Sequence, residues 1–362
     1  MTTDTRNAHP YHMHEAILAQ PGALDRVVER NKEAVDTFAS RISSCGRIFL
    51  AGIGTSHHAT LVGEHLMHSY GGGPDVRAVH SFDLALYGPE LRPDDCLVAV
   101  SHRGAKRYTT LALERAREQG CPTALITGEG GRGEGRADAV FRTVAQEQSS
   151  AHTISFTSAV AVLASLAGRL GHHRRGSATL PEGILGQEIP GALRAALRTE
   201  EQVGEWAREH VGRRRIWLLG GGPSGVTATE TALKIKETSY LQAEGMPTET
   251  MLHGPFQCVE AGDLFVLMAP AGAARERTLE LAELVEEVGA PYVIVGDETV
   301  GARPGAAGVV RVPGVPEPFS ALSCLVPLQL FSYHLALARG TNPDTFRVDD
   351  PRFARADVSG RL

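Results

Sequence analysis

Lysine is almost missing from this 362-residue chain: only Lys32, Lys106, Lys234 and Lys236 occur, and arginine carries nearly all the positive charge. Lysine, unlike arginine, shifts its protonation readily on burial, so the pair at 234 and 236 stands out. An excess of one charge is also missing. The 36 basic and 42 acidic residues are spread along the chain and leave a net −6, which excludes a basic nucleic-acid face or a membrane-binding tail. Five cysteines (Cys45, Cys96, Cys121, Cys258, Cys324) are odd in number, far apart and without a Cys-x-x-Cys pair. Free thiols in a reducing compartment are the simplest account. No uninterrupted apolar run approaches the ~18 residues that span a bilayer, and the start, MTTDTRNAHPYHMHEAI, has no signal-peptide core. A soluble, cytoplasmic protein is expected, with His9, His12 and His14 on a frayed N-terminus rather than on a metal. The third glycine of a dinucleotide fingerprint and the Gly-Lys-Ser/Thr of a P-loop are both lacking, which argues against NAD and ATP. No cofactor is expected.

What is present suffices for two cores, with 42% apolar residues over a length that suits two domains. The two halves repeat each other. RIFLAGIGTS begins at Arg47 and RIWLLGGGPS at Arg215, 168 positions later. Asp95-Cys-Leu-Val-Ala-Val falls on Asp263-Leu-Phe-Val-Leu-Met at the same spacing. One position later, Gly120-Cys-Pro-Thr-Ala-Leu-Ile falls on Gly289-Ala-Pro-Tyr-Val-Ile-Val, and Val140-Phe-Arg-Thr-Val on Val309-Val-Arg-Val-Pro. Four segments held in order point to two copies of one domain.

Short apolar runs bounded by Gly or Asp predict strands buried on both faces. In the first copy these are Ile48–Ala51, Cys96–Val100, Ala124–Thr127 and Val140–Val144, with Val76–Val79 weaker. In the second they are Ile216–Leu219, Leu264–Met268, Tyr292–Val295 and Val309–Val312. Helical patterns lie between them at His57–Ser69, Arg107–Glu118 and Ser155–Leu170, then at Val226–Ala243, Ala274–Val288 and Ser323–Ala338. The alternation predicts an α/β fold of two tandem flavodoxin-like domains, each a parallel sheet sandwiched between helices. The first domain is expected over 1–185 with an N-terminal helical segment, the second over 186–340, and a C-terminal tail over 341–362. A long helix is expected from Gly191 to His210. The GEGGRGEG run at Gly128–Gly135 reads as a loop within the first domain.

Ligands of open α/β sheets sit beyond the carboxyl ends of the strands, so the loops there are the candidates. Gly54-Thr55-Ser56 opens a helix and offers free amides to an anion, though glycine serves tight turns as well. Ser101, His102, Arg103, Gly104 and Lys106 precede Arg107 at another helix start, where cations are electrostatically misplaced unless an anion binds or solvent screens them. Ser150, His152 and Thr153 supply hydroxyls and an imidazole before a third helix, where an ordinary N-cap is the alternative. The stretch from Glu230 to Pro255 is the most distinctive. On a helix, Glu230, Lys234 and Glu237 share one face and Lys236 points away. His253 follows in a Leu-His-Gly-Pro turn. A carboxylate, an amine and an imidazole suit proton transfer, but spacing alone reads first as a salt-bridge stripe and a loop histidine.

Several pieces together resemble a known family. They are Met13-x-Glu15-x-Ile17-x-x-Gln20-Pro21, Gly54-Thr55-Ser56, Ser101-x-x-Gly104 and Ala151-His152-Thr153-x-x-Phe156-Thr157. Glu230-x-Ala232-Leu233-Lys234-x-Lys236-Glu237-x-Ser239-Tyr240 and His253-Gly254-Pro255 match too, as do Pro327-Leu328-Gln329-Leu330 and Tyr333-His334. The chain looks like a pair of SIS (sugar isomerase) domains, similar to the isomerase half of glutamine–fructose-6-phosphate aminotransferase. The resemblance implies that Glu237 moves a proton between C1 and C2 of an open-chain sugar phosphate, with Lys234 in the sugar site. His253 would assist ring opening, often across a subunit interface, which implies a homodimer. With it, the catalytic reading of the stripe takes precedence.

The departures narrow the expectation. The glutaminase half is not matched, so ammonia from glutamine by that route is not expected. Arg103 and Lys106 stand where the family's phosphate loop has Ser and Thr, and His152 where it has Ser. No lysine follows Lys236, so the family's C-terminal Schiff-base lysine has no counterpart. An amino-sugar-phosphate deaminase or ammonia-using isomerase fits best. Aldose–ketose isomerase, sugar–amine deglycase and a non-catalytic sugar-phosphate sensor are the alternatives.

Overall fold

The computed structural model describes residues 6–133 and 135–356. Parts of three stretches discussed above lie outside them: positions 1–5, position 134 of the glycine-rich loop, and positions 357–362 of the tail. The chain opens with helix α1 (His12–Arg41). It then folds into two compact units that are interleaved in sequence. Of the described residues, one unit contains 22–133, 135–147, 154–187 and 347–356; the other contains 6–21, 148–153 and 188–346. Residues 6–21 and the loop 148–153 cluster with the second sheet.

The unit holding the first sheet runs β1 (Arg47–Gly52), α2 (Thr55–Tyr70), β2 (Asp75–His80), α3 (Ser81–Leu86) and β3 (Asp95–Val100). It continues with α4 (Arg107–Glu118), β4 (Thr123–Glu129), β5 (Ala139–Ala145) and α5 (Ile154–Arg175). The sheet is parallel, in the order β2-β1-β3-β4-β5. Every residue of β3 is buried, which is why its sequence is a continuous apolar run rather than an alternating one. Phe49, Ala51, Leu97 and Ala99 face Leu84, Ala112 and Leu113 of α3 and α4. On the other face, Gly63 of α2 lets Leu50 and Leu163 close in.

The other unit runs α6 (Ile189–Leu197), α7 (Glu200–His210), β6 (Ile216–Gly220), α8 (Pro223–Ser239), β7 (Ala243–Pro247) and α9 (Thr248–Leu252). After these come β8 (Leu264–Met268), α10 (Arg275–Val288), β9 (Tyr292–Asp297), β10 (Gly308–Val312), α11 (Glu317–Ser323) and α12 (Leu325–Arg339). Its parallel sheet has the order β10-β9-β8-β6-β7. Trp217, Phe265, Leu267, Tyr292 and Ile294 form its core with Leu281 and Val285 of α10. A last short helix, α13 (Pro351–Ala356), belongs to the first-sheet unit. The ladders reproduce the sequence repeat: Leu97 pairs with Thr123, and Phe265 with Tyr292.

Several expectations need correction. His9 and His14 are packed, not frayed: His9 Nδ1 lies 2.7 Å from the Tyr333 hydroxyl, and His14 Nε2 lies 2.7 Å from Glu200 Oε1. Asp344 accepts from His12 N and Met13 N at 2.9 and 2.8 Å, satisfying the orphan amides at the start of α1. Pro21 lies inside α1, where its ring removes one rung of the ladder. The Gln20 side chain donates to the stranded Ile17 carbonyl at 3.0 Å. The helix expected over Gly191–His210 breaks at Arg198 and Thr199 into α6 and α7. The one expected over Val226–Ala243 ends at Ser239, because Tyr240 turns left-handed (φ 59), and β7 follows as an edge strand. Two helical spans, Ile154–Arg175 and Glu317–Arg339, are long and apolar enough to cross a bilayer, yet 83% of each window is buried within the fold.

Candidate functional site

Helix α8 begins with Pro223 in its first turn, where a proline costs no hydrogen bond. Glu230, Lys234 and Glu237 then lie on one face. Lys234 Nζ is 3.5 Å from Glu230 Oε1 and 2.5 Å from Glu237 Oε2. Lys234 and Glu230 are buried, whereas the Glu237 side chain remains 21% exposed. This is not a solvated stripe. A long cation has been withdrawn from water and held between two carboxylates, one sealed and one presented to the outside. A carboxylate at the edge of the fold, hydrogen-bonded to a buried amine, is an arrangement that can serve proton transfer.

The loop Gln148–Thr153 belongs to the same unit. Ser150 N donates to Asp344 O at 2.8 Å and Ser149 Oγ to Pro343 O at 3.3 Å, so the segment after Gly340 fixes this loop. Thr153 is buried; Ser150 and His152 are partly exposed. His253 stands elsewhere on the unit. It follows α9, its side chain is 74% exposed, and its Nε2 lies 2.9 Å from Glu249 Oε1. Glu249 also binds Arg277. The structure thus joins Glu237 to Lys234 directly and pairs His253 with a different carboxylate.

In the first-sheet unit, β1 has β2 on one side and β3 on the other, so the strand order reverses between β1 and β3. The loops Gly52–Ser56 and Ser101–Lys106 flank that crevice, the usual ligand position of such sheets. Gly54 is the N-cap of α2, with Thr55 and Ser56 in its first turn. Gly104 has φ +66, and a Cβ there would fall 1.9 Å from the Arg132 carbonyl, so only glycine fits. Ser101 Oγ is buried with no hydrogen-bond partner. His102 Nε2 accepts from Glu147 N at 3.0 Å, which requires a neutral ring, and burial lowers its pKa accordingly. His102 therefore braces the turn from inside. Arg103 is exposed, and Lys106 at the N-cap of α4 is partly buried. Burial first, then the charge of Arg103, holds the Lys106 pKa below the ordinary lysine range. Two like charges at a helix start, over a buried unpartnered hydroxyl, fit an anion.

Sequence reasoning passed over the imidazoles at the adjoining strand ends. The His57 and His80 rings meet edge-on at 5.4 Å, and His57 and His58 at 6.5 Å. The signal was there in Ser56-His57-His58, but two histidines on a helix carry no spacing rule. Burial, then the charges of His80 and His58, depresses the His57 pKa from 6.5 to about 4. The folded protein therefore binds fewer protons here than the unfolded chain. Its contribution to stability is present above pH 6.5 and is lost as the pH falls towards 4. After allowance for partial exposure, this amounts to about 2 kcal/mol. Urea titrations at pH 7.5 and 4.5 should show a loss that His57→Gln reduces by about that amount. An equal loss in both proteins would contradict the assignment.

The comparisons with known proteins agree with this layout. The SIS domain model matches twice, at residues 41–169 and 211–339. Glutamine–fructose-6-phosphate aminotransferase (isomerizing) of Pyrococcus horikoshii is 30% identical over 94% of the chain. The chain spans 57% of that relative, little more than half its length. Among solved structures, the C-terminal domain of glucosamine-fructose-6-phosphate aminotransferase from Francisella tularensis superposes with a TM-score of 0.83 at 22% identity, covering 94% of this chain and 99% of that one. Glucosamine-6-phosphate deaminase of Thermotoga maritima gives 0.74 at 20%, covering 93% and 98%. These last two likenesses establish the fold. With both matched segments coinciding with the two sheets, the chain belongs to the SIS domain family, as a tandem pair homologous to the isomerase part of glutamine–fructose-6-phosphate aminotransferase.

Proposed function

We propose that this chain is a phosphosugar isomerase or deaminase that moves a proton between C1 and C2 of an open-chain hexose phosphate. The observation that carries the proposal is the buried Lys234 held between Glu230 and the partly exposed Glu237. Glu237 takes the proton from the carbon next to the carbonyl, the electrons pass to the carbonyl oxygen to give a cis-enediolate, and that oxygen takes the proton of the neighbouring hydroxyl or amine. Lys234 supplies the fixed positive charge near the developing oxyanion. Returning the proton to the adjacent carbon completes an aldose–ketose exchange. With an amine at C2, the same transfer gives a 2-imino sugar, which water converts to a ketose and ammonia. The deaminase reading is supported by the fold shared with the Thermotoga deaminase.

Ser101, Arg103 and Lys106, together with the amides at Gly54–Ser56, are the groups we assign to the phosphate. His253, exposed after α9, is assigned to ring opening in a neighbouring copy within a homodimer. Arg103→Ala should raise KM for a hexose 6-phosphate about tenfold while changing kcat little, since a charge-assisted contact contributes roughly 1.5–3 kcal/mol. The unphosphorylated sugar should not respond to the substitution. A fall in kcat with unchanged KM would place Arg103 at the chemistry instead.

The direct test is incubation of the protein in D₂O with hexose and hexosamine 6-phosphates, followed by NMR and an ammonia assay. Deuterium at C1 or C2 with ammonia release identifies a deaminase; exchange without ammonia identifies an isomerase. A panel in which nothing exchanges would refute the proton-transfer reading.

A further inference from the structure

The two sheets repeat each other down to the loop beyond the third strand, yet what rests on that loop differs. In the second sheet the strand order reverses between β6 and β8, and the flanking loop is Ala269–Ala274. It lies 168 positions after Ser101–Lys106. Helices α4 and α10 start at the equivalent residues Arg107 and Arg275, and Gly104 and Gly272 occupy the same position of the two loops in different backbone conformations (φ +66 and +158). The two loops are therefore counterparts residue by residue.

In the second copy the loop amides already hold carboxylates. Ala271 N donates to Asp297 Oδ2, and Ala273 N donates to Glu317 Oε1 at 2.9 Å. Arg275 Nη2 binds the same Asp297 oxygen. Thr299 donates to the other oxygen through its amide at 2.9 Å and its hydroxyl at 2.5 Å. A Cβ at Gly272 would fall 2.2 Å from Glu317 Oε1, so the glycine leaves the space that this carboxylate fills. Burial would raise the Asp297 pKa, but the bonds from Thr299, Ala271 and Arg275 outweigh it and bring it to about 2.

The first copy lacks these groups. By the strand pairing, the counterpart of Asp297 is Gly128, where a Cβ would fall 2.6 Å from both His102 and Gln146. Among the described residues no carboxylate contacts Arg103 N or Ala105 N. The loop instead offers the buried, unpartnered hydroxyl of Ser101, whose counterpart is Ala269, and the charges of Arg103 and Lys106.

We infer that the second copy's strand-end cradle is closed by the chain's own carboxylates, with Asp297 and Glu317 seated where an anionic ligand would bind. Each chain then takes one phosphate-bearing ligand, at the first copy alone.

Inorganic phosphate is a sufficient probe. Calorimetric titration of the full chain should give one phosphate per chain, lost in Ser101→Ala/Arg103→Ala. Adding Asp297→Ala and Glu317→Ala to that background should restore one site, and adding them to the wild type should raise the count from one to two. No gain of phosphate in a variant that circular dichroism shows to be folded overturns the inference. If the double alanine substitution fails to fold, Asp297→Ser with Glu317→Ser removes both carboxylates while keeping a hydroxyl at each place, and the same gain or its absence decides. A wild type that binds no phosphate at Ser101 and Arg103 would count against the proposed function, while the gain on removing the carboxylates still decides this inference.

Discussion

Glu237→Gln should lower kcat by about 10²–10⁴-fold and abolish deuterium exchange into the sugar, with KM within a few-fold of wild type. The substitution keeps the size of the side chain and its hydrogen bond to Lys234, but the amide cannot take a proton. Since Glu237 is the only member of the Glu230–Lys234–Glu237 triad with appreciable exposure, it alone is placed to reach a substrate carbon. The experiment also separates an enzyme from a sensor. A sensor needs the phosphate loops but not the base, so it would bind the sugar phosphate equally well before and after the change and turn over neither. Equal losses of binding and turnover would remove Glu237 from the role of base and leave it a structural carboxylate.

Lys234→Met should cost about 3–5 kcal/mol of stability, seen as a lower urea midpoint for the unit that contains the second sheet. Methionine fills a similar volume, so little of the loss comes from a cavity. The cost arises because the fully buried Glu230 carboxylate loses the cation that lies 3.5 Å away. Adding Glu230→Gln should recover a large part of the loss, because the pair is then replaced rather than broken. If Lys234→Met is nearly neutral, or the second change recovers nothing, Lys234 is not balancing Glu230, and its role would be confined to Glu237. The same pair of variants guards the reading of Glu237→Gln, since a global loss of folding would appear in the urea titration first.

Much of the fold was visible in the sequence because parallel strands buried on both faces leave uninterrupted apolar runs, and two copies display those runs twice. Edge strand β7, Ala-Glu-Gly-Met-Pro, is half exposed and shows no such run, so no strand is expected there and its first residue, Ala243, falls in the expected helix. The actual stop, Tyr240 in a left-handed conformation, has no glycine to announce it. The break between α6 and α7 was marked by Thr199-Glu200-Glu201, an N-cap followed by acidic residues, and went unread because the flanking pattern stays helical. Pro21 would ordinarily end a helix; here the helix continues, and the Gln20 side chain donates to the Ile17 carbonyl that the proline leaves without its helical donor. In the site, spacing was enough to align Glu230, Lys234 and Glu237, but not to say that the middle cation is buried. Nor did it separate His102, which braces its turn, from Arg103, which faces outward.

The interleaving of the two units has a practical side. The gene carries its repeat in tandem, with one copy after the other, whereas the folded units exchange short pieces: 6–21 and 148–153 travel with the second sheet, and 347–356 with the first. The seams of the gene and the seams of the fold therefore fall in different places. A chimera that swaps one repeat for that of a relative at a single junction would separate Asp344 from the helix start it caps, or Ser150 from the carbonyl it binds. Exchanging one unit intact means transplanting three separate stretches of sequence together.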